Sequence, residues 1–244
     1  MSTNKSSSLT IGSDGASADP SALGSGVRSL IESAFQRLRA DIVCGRLAAG
    51  TRLGIEELKA HYGVSGGTLR EALSLLVSDG LVRAQAQRGF QVAPMSLHDI
   101  EDLSSTRILL ECEALRQSVE HGDADWQARV AKSHQRLSQL DQLATSDPAR
   151  YFDEWEPCNR EFHRALISAC PSLWIGRFLS VLYLQMERYR RLTSMHSPPT
   201  RNVHDEHQAL LDSALARDGD RCAELLRTHI ESSTAVVRQF GLLR

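Results

Sequence analysis

The chain has 244 residues, 41% of them hydrophobic, and its 28 Lys and Arg nearly balance 30 Asp and Glu. That length can hold two small cores without disulfides, and two domains are expected. Five scattered cysteines (Cys44, Cys112, Cys158, Cys170, Cys222) form no Cys-x-x-Cys pair. No apolar run approaches the roughly 18 residues of a membrane span, and the N-terminus lacks a signal-peptide core. Disulfide-framed secreted, zinc-ribbon and membrane-spanning classes therefore fall away, and a reducing cytoplasm is the expected home.

Residues 1–26 are rich in Ser, Gly and Ala and almost lack large apolar side chains, so they are expected to stay unstructured. From Val27 the pattern changes: Ile31, Phe35, Leu38 and Ile42 recur at helical spacing, and Gly45 and Gly50 bracket a turn. Residues 60–73 then predict a short helix, a turn at Gly63 and a second helix capped by Ser65, with Leu69, Leu73 and Leu76 on its buried face. Leu81–Gln85 and Phe90–Val92 flank Ala86–Gly89 as a small hairpin. Helix, turn, helix and wing make a DNA-reading domain over 27–94, followed by a linker at 95–98.

Charge is uneven in the same sense. Residues 27–94 carry nine Lys/Arg against six Asp/Glu, a net +3, and residues 95–244 carry 18 against 22, a net −4. A mildly basic front suits an approach to phosphates.

From residue 99 to 244 every segment predicts helix. Expected spans begin at Ile100, then cover Trp126–Leu143, Pro148–Cys170, Ser172–Leu192, Arg201–Ala216 and Asp220–Phe240, with Pro157 kinking or restarting the third. The fold class is mainly α: a winged helix-turn-helix with a small hairpin wing, then an all-helical effector-binding bundle.

A helix of this size fits the major groove and meets bases and phosphates with its first turn. Ser65, Gly66, Gly67, Thr68 and Arg70 are the candidate contacts, with Arg88 and Gly89 at the wing tip. The two glycines let unpaired helical N–H groups lie close to a phosphate. The bland alternative, a capped helix start in an ordinary domain, does not account for a wing in register behind it.

In the rear domain, Asn159 and His163 lie one turn apart on one helix face. His207 shares a face with Leu210, Leu211 and Ala214, and His229 follows Leu225 and Leu226 by about one turn. Three imidazoles and an amide oxygen facing inward from three helices suit zinc or a similar divalent ion. Singly, each histidine is as well explained as a hydrogen-bonded core residue. An open metal position also admits a hydrolase, for which Asp205 and Glu206 supply no recognised motif.

Residues 27–94 resemble the winged-helix domain of GntR-type bacterial transcription regulators, carried by Ser65–Leu73, Asp79-Gly80-Leu81-Val82 and Gly89-Phe90-Gln91-Val92. The rear domain resembles the all-helical FCD effector domain of the FadR-like branch. The resemblance implies a repressor binding double-stranded operator DNA as a homodimer on a pseudo-palindromic site, and a small carboxylate as effector. It also implies a metal held at Asn159, His163, His207 and His229, zinc foremost, with nickel and manganese as alternatives; a metal-free acyl or apolar pocket is the other arrangement. Asn159 stands where Asp is usual and Gly66 where Arg is common, so each site departs from the family by one charge. Arg107, with Leu110 and Glu111, matches an Arg-x-x-Leu-Glu pattern and is the candidate effector contact, alongside a plain ion pair to Glu111. His204 falls outside the pattern and is expected at the surface.

Overall fold

The computed structural model describes residues 20–86, 88–194, 201–239, 241 and 243. Helix α1 (Pro20–Val43) opens on a proline, whose missing N–H has no helical partner to lose, and buries Ala34, Leu38 and Ile42. Residues 20–26, expected in the unstructured leading segment, are thus helical, because a helix once nucleated by its apolar stripe extends at one hydrogen bond per residue. Residues 1–19 lie outside the described residues.

Strand β1 (Arg52–Leu53) leads into α2 (Ile55–Tyr62), which ends at Gly63 in the left-handed conformation, φ 67°. Helix α3 (Gly66–Ser78) is capped by Ser65, whose side chain accepts from the Thr68 N–H, and buries Leu69, Ala72, Leu73 and Leu76 against α1. The wing is β2 (Val82–Gln85) paired antiparallel with β3 (Gly89–Val92), Val82 opposite Val92 and Gln85 opposite Gly89. β1 joins the far edge of β3 and completes a sheet of order β1-β3-β2. Two residues carry no readable alternation, which is why this strand escapes sequence reasoning.

Helix α4 (Leu97–His121) begins inside the expected linker, because Ser96 accepts from the Asp99 N–H at 3.1 Å and so acts as its N-cap. α5 (Ala124–Ser146), α6 (Pro148–Leu166), α7 (Leu173–Ser194), α8 (Val203–Leu215) and α9 (Gly219–Gln239) complete the bundle. α6 runs through Pro157 without restarting, and it stops at Leu166, four residues short of the expected end. Trp126, Val130, Leu137, Phe162, Leu210 and Leu226 fill the bundle core. No helix among the described residues is long and apolar enough to cross a membrane.

α7 joins the two halves. Leu184 is buried in the winged-helix core, and Gln185 donates to the Asp79 carbonyl at 2.8 Å. Arg188 donates to the Ala93 carbonyl at 2.6 Å, and the Tyr189 hydroxyl to Asp99 at 2.6 Å.

Candidate metal centre and DNA-reading face

α6 presents Asn159, Phe162, His163 and Leu166 to the core at positions i, i+3, i+4 and i+7, the stripe of an amphipathic helix. α8 brings His207 and α9 brings His229 to the same place. One ring nitrogen from each of the three imidazoles lies within 4.8 Å of the others, and all three residues are buried. Asn159 is buried one turn before His163, 4% exposed.

Each ring is oriented from behind by a carboxylate. His163 Nδ1 meets Glu111 Oε1 at 2.9 Å, His207 Nδ1 meets Asp141 Oδ2 at 3.0 Å, and His229 Nδ1 meets Glu206 Oε2 at 2.8 Å. An ionised carboxylate only accepts, so each Nδ1 carries the proton and each Nε2 keeps its lone pair. This is the support that metal-ligating histidines use. His207 Nε2 is buried without a hydrogen-bond partner, an orphaned acceptor that a bound cation would satisfy. The donor set fits a divalent ion of the zinc kind.

The electrostatics agree. Burial pushes the His163 imidazolium down to about 4, with Glu111 only partly opposing it. Burial, then the Arg201 charge, hold His229 well below its ordinary value. Both rings are therefore neutral at pH 7, the form that ligates. Burial raises the Glu111 carboxyl, but Arg107 and His163 outweigh it and bring Glu111 to about 2.

Arg107 is not free in the cavity. It is buried, donates to Glu111 through Nε at 2.5 Å, and stacks over the Tyr183 ring at 5.0 Å. Its Nη2 lies 3.3 Å from His163 Nδ1, a contact between two donors once Glu111 has claimed the imidazole proton. Of the two expectations, the geometry favours the ion pair. Arg201 pairs with Glu206 in the same manner behind His229. His204, expected at the surface, is half-buried with Nδ1 3.7 Å from Asp141. A pocket of about 120 Å³ opens beside the cage, with Asp141, Phe152, Trp155, Arg190, Arg201 and Val236 in its wall.

Sequence reasoning missed Asp141 and the role of Glu206. Asp141 sits on α5, 66 residues from its imidazole partner, with no periodic cue. Glu206 adjoins His207 in sequence, yet successive helical residues face different ways, and it serves His229.

On the front domain, Ser65 Oγ also meets Thr68 Oγ1 at 2.9 Å. A Cβ on Gly67 would meet nothing but Ser65 Oγ at 3.7 Å, whereas one on Gly66 would lie 3.3 Å from Ile55 and 3.6 Å from Lys59. Arg70 is exposed, with one long contact to the Gly66 carbonyl at 3.5 Å and no carboxylate partner among the described residues. Arg88 is exposed at the wing turn, and Gly89 takes φ +82°, a conformation that favours glycine.

The family model "Bacterial regulatory proteins, gntR family" matches residues 30–92, and that of the FCD domain matches residues 102–232. An HTH-type transcriptional regulator of Paraburkholderia xenovorans (strain LB400), BphR, is 66% identical over 245 residues, covering 100% of both chains. The HTH-type transcriptional repressor GlaR of Escherichia coli (strain K12) is 31% identical over 209 residues, covering 84% of this chain and 94% of its own. Among solved structures, E. coli McbR/YncC superposes with a TM-score of 0.71 at 21% identity, over 86% of this chain and 98% of that one, a likeness of fold.

Proposed function

The chain belongs to the GntR family of bacterial regulatory proteins and carries an FCD domain, which makes it a DNA-binding transcription regulator rather than an enzyme, and from that premise we propose a ligand-responsive repressor. It acts in the cytoplasm as a homodimer on a pseudo-palindromic operator, where two recognition helices about 34 Å apart meet successive major-groove turns. Repression follows the relative named a repressor, GlaR. Ser65, Gly66, Gly67, Thr68 and Arg70 meet the major groove, and Arg88 and Gly89 the minor groove.

The observation that carries responsiveness is the convergence of His163, His207 and His229 with a carboxylate behind each Nδ1. These three rings, with Asn159, would hold a divalent ion, zinc foremost, which supplies an open position for a small carboxylate. Glu111, Asp141 and Glu206 keep each Nδ1 protonated and each ring aimed. Arg107 positions Glu111. Tyr183, stacked under Arg107, precedes Leu184 and Gln185, which hold the winged helix, so α7 carries occupancy of the cage to the DNA-reading domain as a shift between two arrangements. Of the two carboxylates beside His207, a hydrolase reading loses Glu206 as a general base, because it is engaged on His229.

Metal analysis of the purified full chain, with operator binding measured against a panel of organic acids, tests this. Stoichiometric metal in the wild type, absent from His207→Ala, together with acid-dependent release of DNA, is the expected result. A wild type without metal after supplementation overturns the metal site and leaves a metal-free acyl or apolar pocket.

A further inference from the structure

We propose that the cavity at the corner between α6 and α7 binds a small organic dianion, a phosphate monoester foremost, through Arg164, Arg177 and the Tyr183 hydroxyl. The cavity measures about 380 Å³, within the range of small-molecule sites, against about 120 Å³ for the pocket beside the histidine cage. The two share no lining residue. Arg164 and Arg177 line the larger one, and no Asp or Glu among the described residues does. Both arginines are exposed, and neither forms an ion pair among the described residues.

Helix ends account for only one of these charges. Arg164 lies in the last turn of α6, where a cation offsets the negative end of the helix. Arg177 lies just past the first turn of α7, near its positive end, and that turn holds no acidic residue to compensate. The first N–H groups of α7 also lack a carbonyl partner within the helix. Arg177 is held there by its guanidinium, stacked 4.8 Å over the Trp174 ring, which leaves the N–H edge of the fork open. Tyr183 is an independent sign of a ligand. It is 3% exposed, and it brings to the cavity wall a buried hydroxyl with no hydrogen-bond partner, which native structures rarely leave.

The donors decide the class of occupant. Two guanidinium forks, a helix N-terminus and a phenol all offer hydrogens, so the ligand presents acceptors. A phosphate monoester carries about −1.5 to −2 charges at pH 7 on three acceptor oxygens, which matches two cations and a hydroxyl. Ala114, Ile167 and Ile175 in the wall suit a short apolar body. The Tyr183 ring lies 5.0 Å from the Arg107 guanidinium, which holds Glu111 behind His163, and Leu184 and Gln185 follow it into the winged helix. Occupancy thus gives the regulator a second input, a consequence that rests on the ligand-responsive reading above, whereas binding itself does not.

Isothermal titration calorimetry of the full chain with glycerol phosphate tests the site. We expect Arg164→Gln and Arg177→Gln each to weaken binding by about 10-fold or more, as loss of a hydrogen bond to a charged group does, and Tyr183→Phe by a smaller factor. Circular dichroism should show their helices intact, and Arg129→Gln, at an exposed arginine on α5, should bind as wild type does. Tighter binding of succinate, lost in the same variants, would keep the site and assign its dianion to a dicarboxylate. Inorganic phosphate binding as tightly as glycerol phosphate would remove the organic body. No binding of any probe at millimolar concentration, or binding unaltered in all three variants, would overturn the site. Glycerol phosphate should also shift operator affinity in the wild type and not in the double arginine variant. A wild type that binds the probe without such a shift would remove the second input and leave the metal-centred reading to its own test.

Discussion

Asp141 accepts from His207 Nδ1 at 3.0 Å with one oxygen and from the Trp155 indole N–H at 2.7 Å with the other. The carboxylate is thereby pinned before it orients the imidazole. Carboxylate support of this kind typically contributes 10–100-fold to metal affinity. Asp141→Asn is therefore expected to bind zinc about 10–100-fold more weakly than wild type in a chelator competition. His207→Ala should lose stoichiometric binding altogether. Equal affinity in the Asn variant would show that the ring needs no such support.

The buried imidazoles give the metal-free protein an acid-sensitive fold. His163 is held down to about 4 in the folded state, below its ordinary 6.5, and His229 is shifted the same way. The unfolded chain then binds more protons below about pH 6.5, so stability present above that value is lost as pH falls toward 4. Glu111, brought to about 2, adds to the loss at the acid end of this window, because the unfolded carboxyl takes up a proton near 4.5 while the folded one stays ionised. The loss attributable to His163 is on the order of 3 kcal/mol. Urea unfolding of chelator-treated protein between pH 7 and pH 4 measures it, and His163→Gln should flatten the curve.

Arg70 is exposed on α3 with no carboxylate partner among the described residues, so its removal is expected to take away the proposed DNA contact and little else. Arg70→Ala is expected to abolish specific operator binding, a loss of about 1–3 kcal/mol if the contact is to a base. The thermal midpoint and helical content should stay unchanged. Fluorescence anisotropy at two salt concentrations separates the two roles: a base contact relaxes sequence preference, whereas a phosphate contact lowers the salt slope by about one.

Gly80 holds φ +69°, and a Cβ there would come 3.2 Å from Gln185 Nε2, the atom that binds the Asp79 carbonyl. Gly80→Ala should therefore destabilise by about 1–2 kcal/mol through the left-handed backbone alone. It should also loosen the contact between the domains. Gln185→Ala keeps the backbone and loses only the latch. Limited proteolysis should find both variants cut faster than wild type near residues 93–96, and only Gly80→Ala should lower the unfolding midpoint appreciably.

Local chemistry made much of this protein legible as a string of residues. Ser65 before an apolar stripe, Gly63 after a short helix and Arg88-Gly89 between two apolar runs specify caps and turns that depend on neighbours a few positions away. The helical spacing of Leu69, Leu73 and Leu76, or of Asn159, Phe162 and His163, likewise states which side faces inward. What lay beyond reach was every relationship set by packing between distant segments: Asp141 behind His207, Glu206 behind His229 rather than beside its sequence neighbour, and α7 reaching Asp79 and Ala93. Those partners are chosen by how helices cross, and crossing is settled by the summed burial of many side chains, so no short stretch encodes it. Thus the unaided sequence determined the kind of molecule and its inward-facing histidines, and the tertiary structure alone decided which carboxylate orients each ring and which helix ties the cage to the DNA-reading domain.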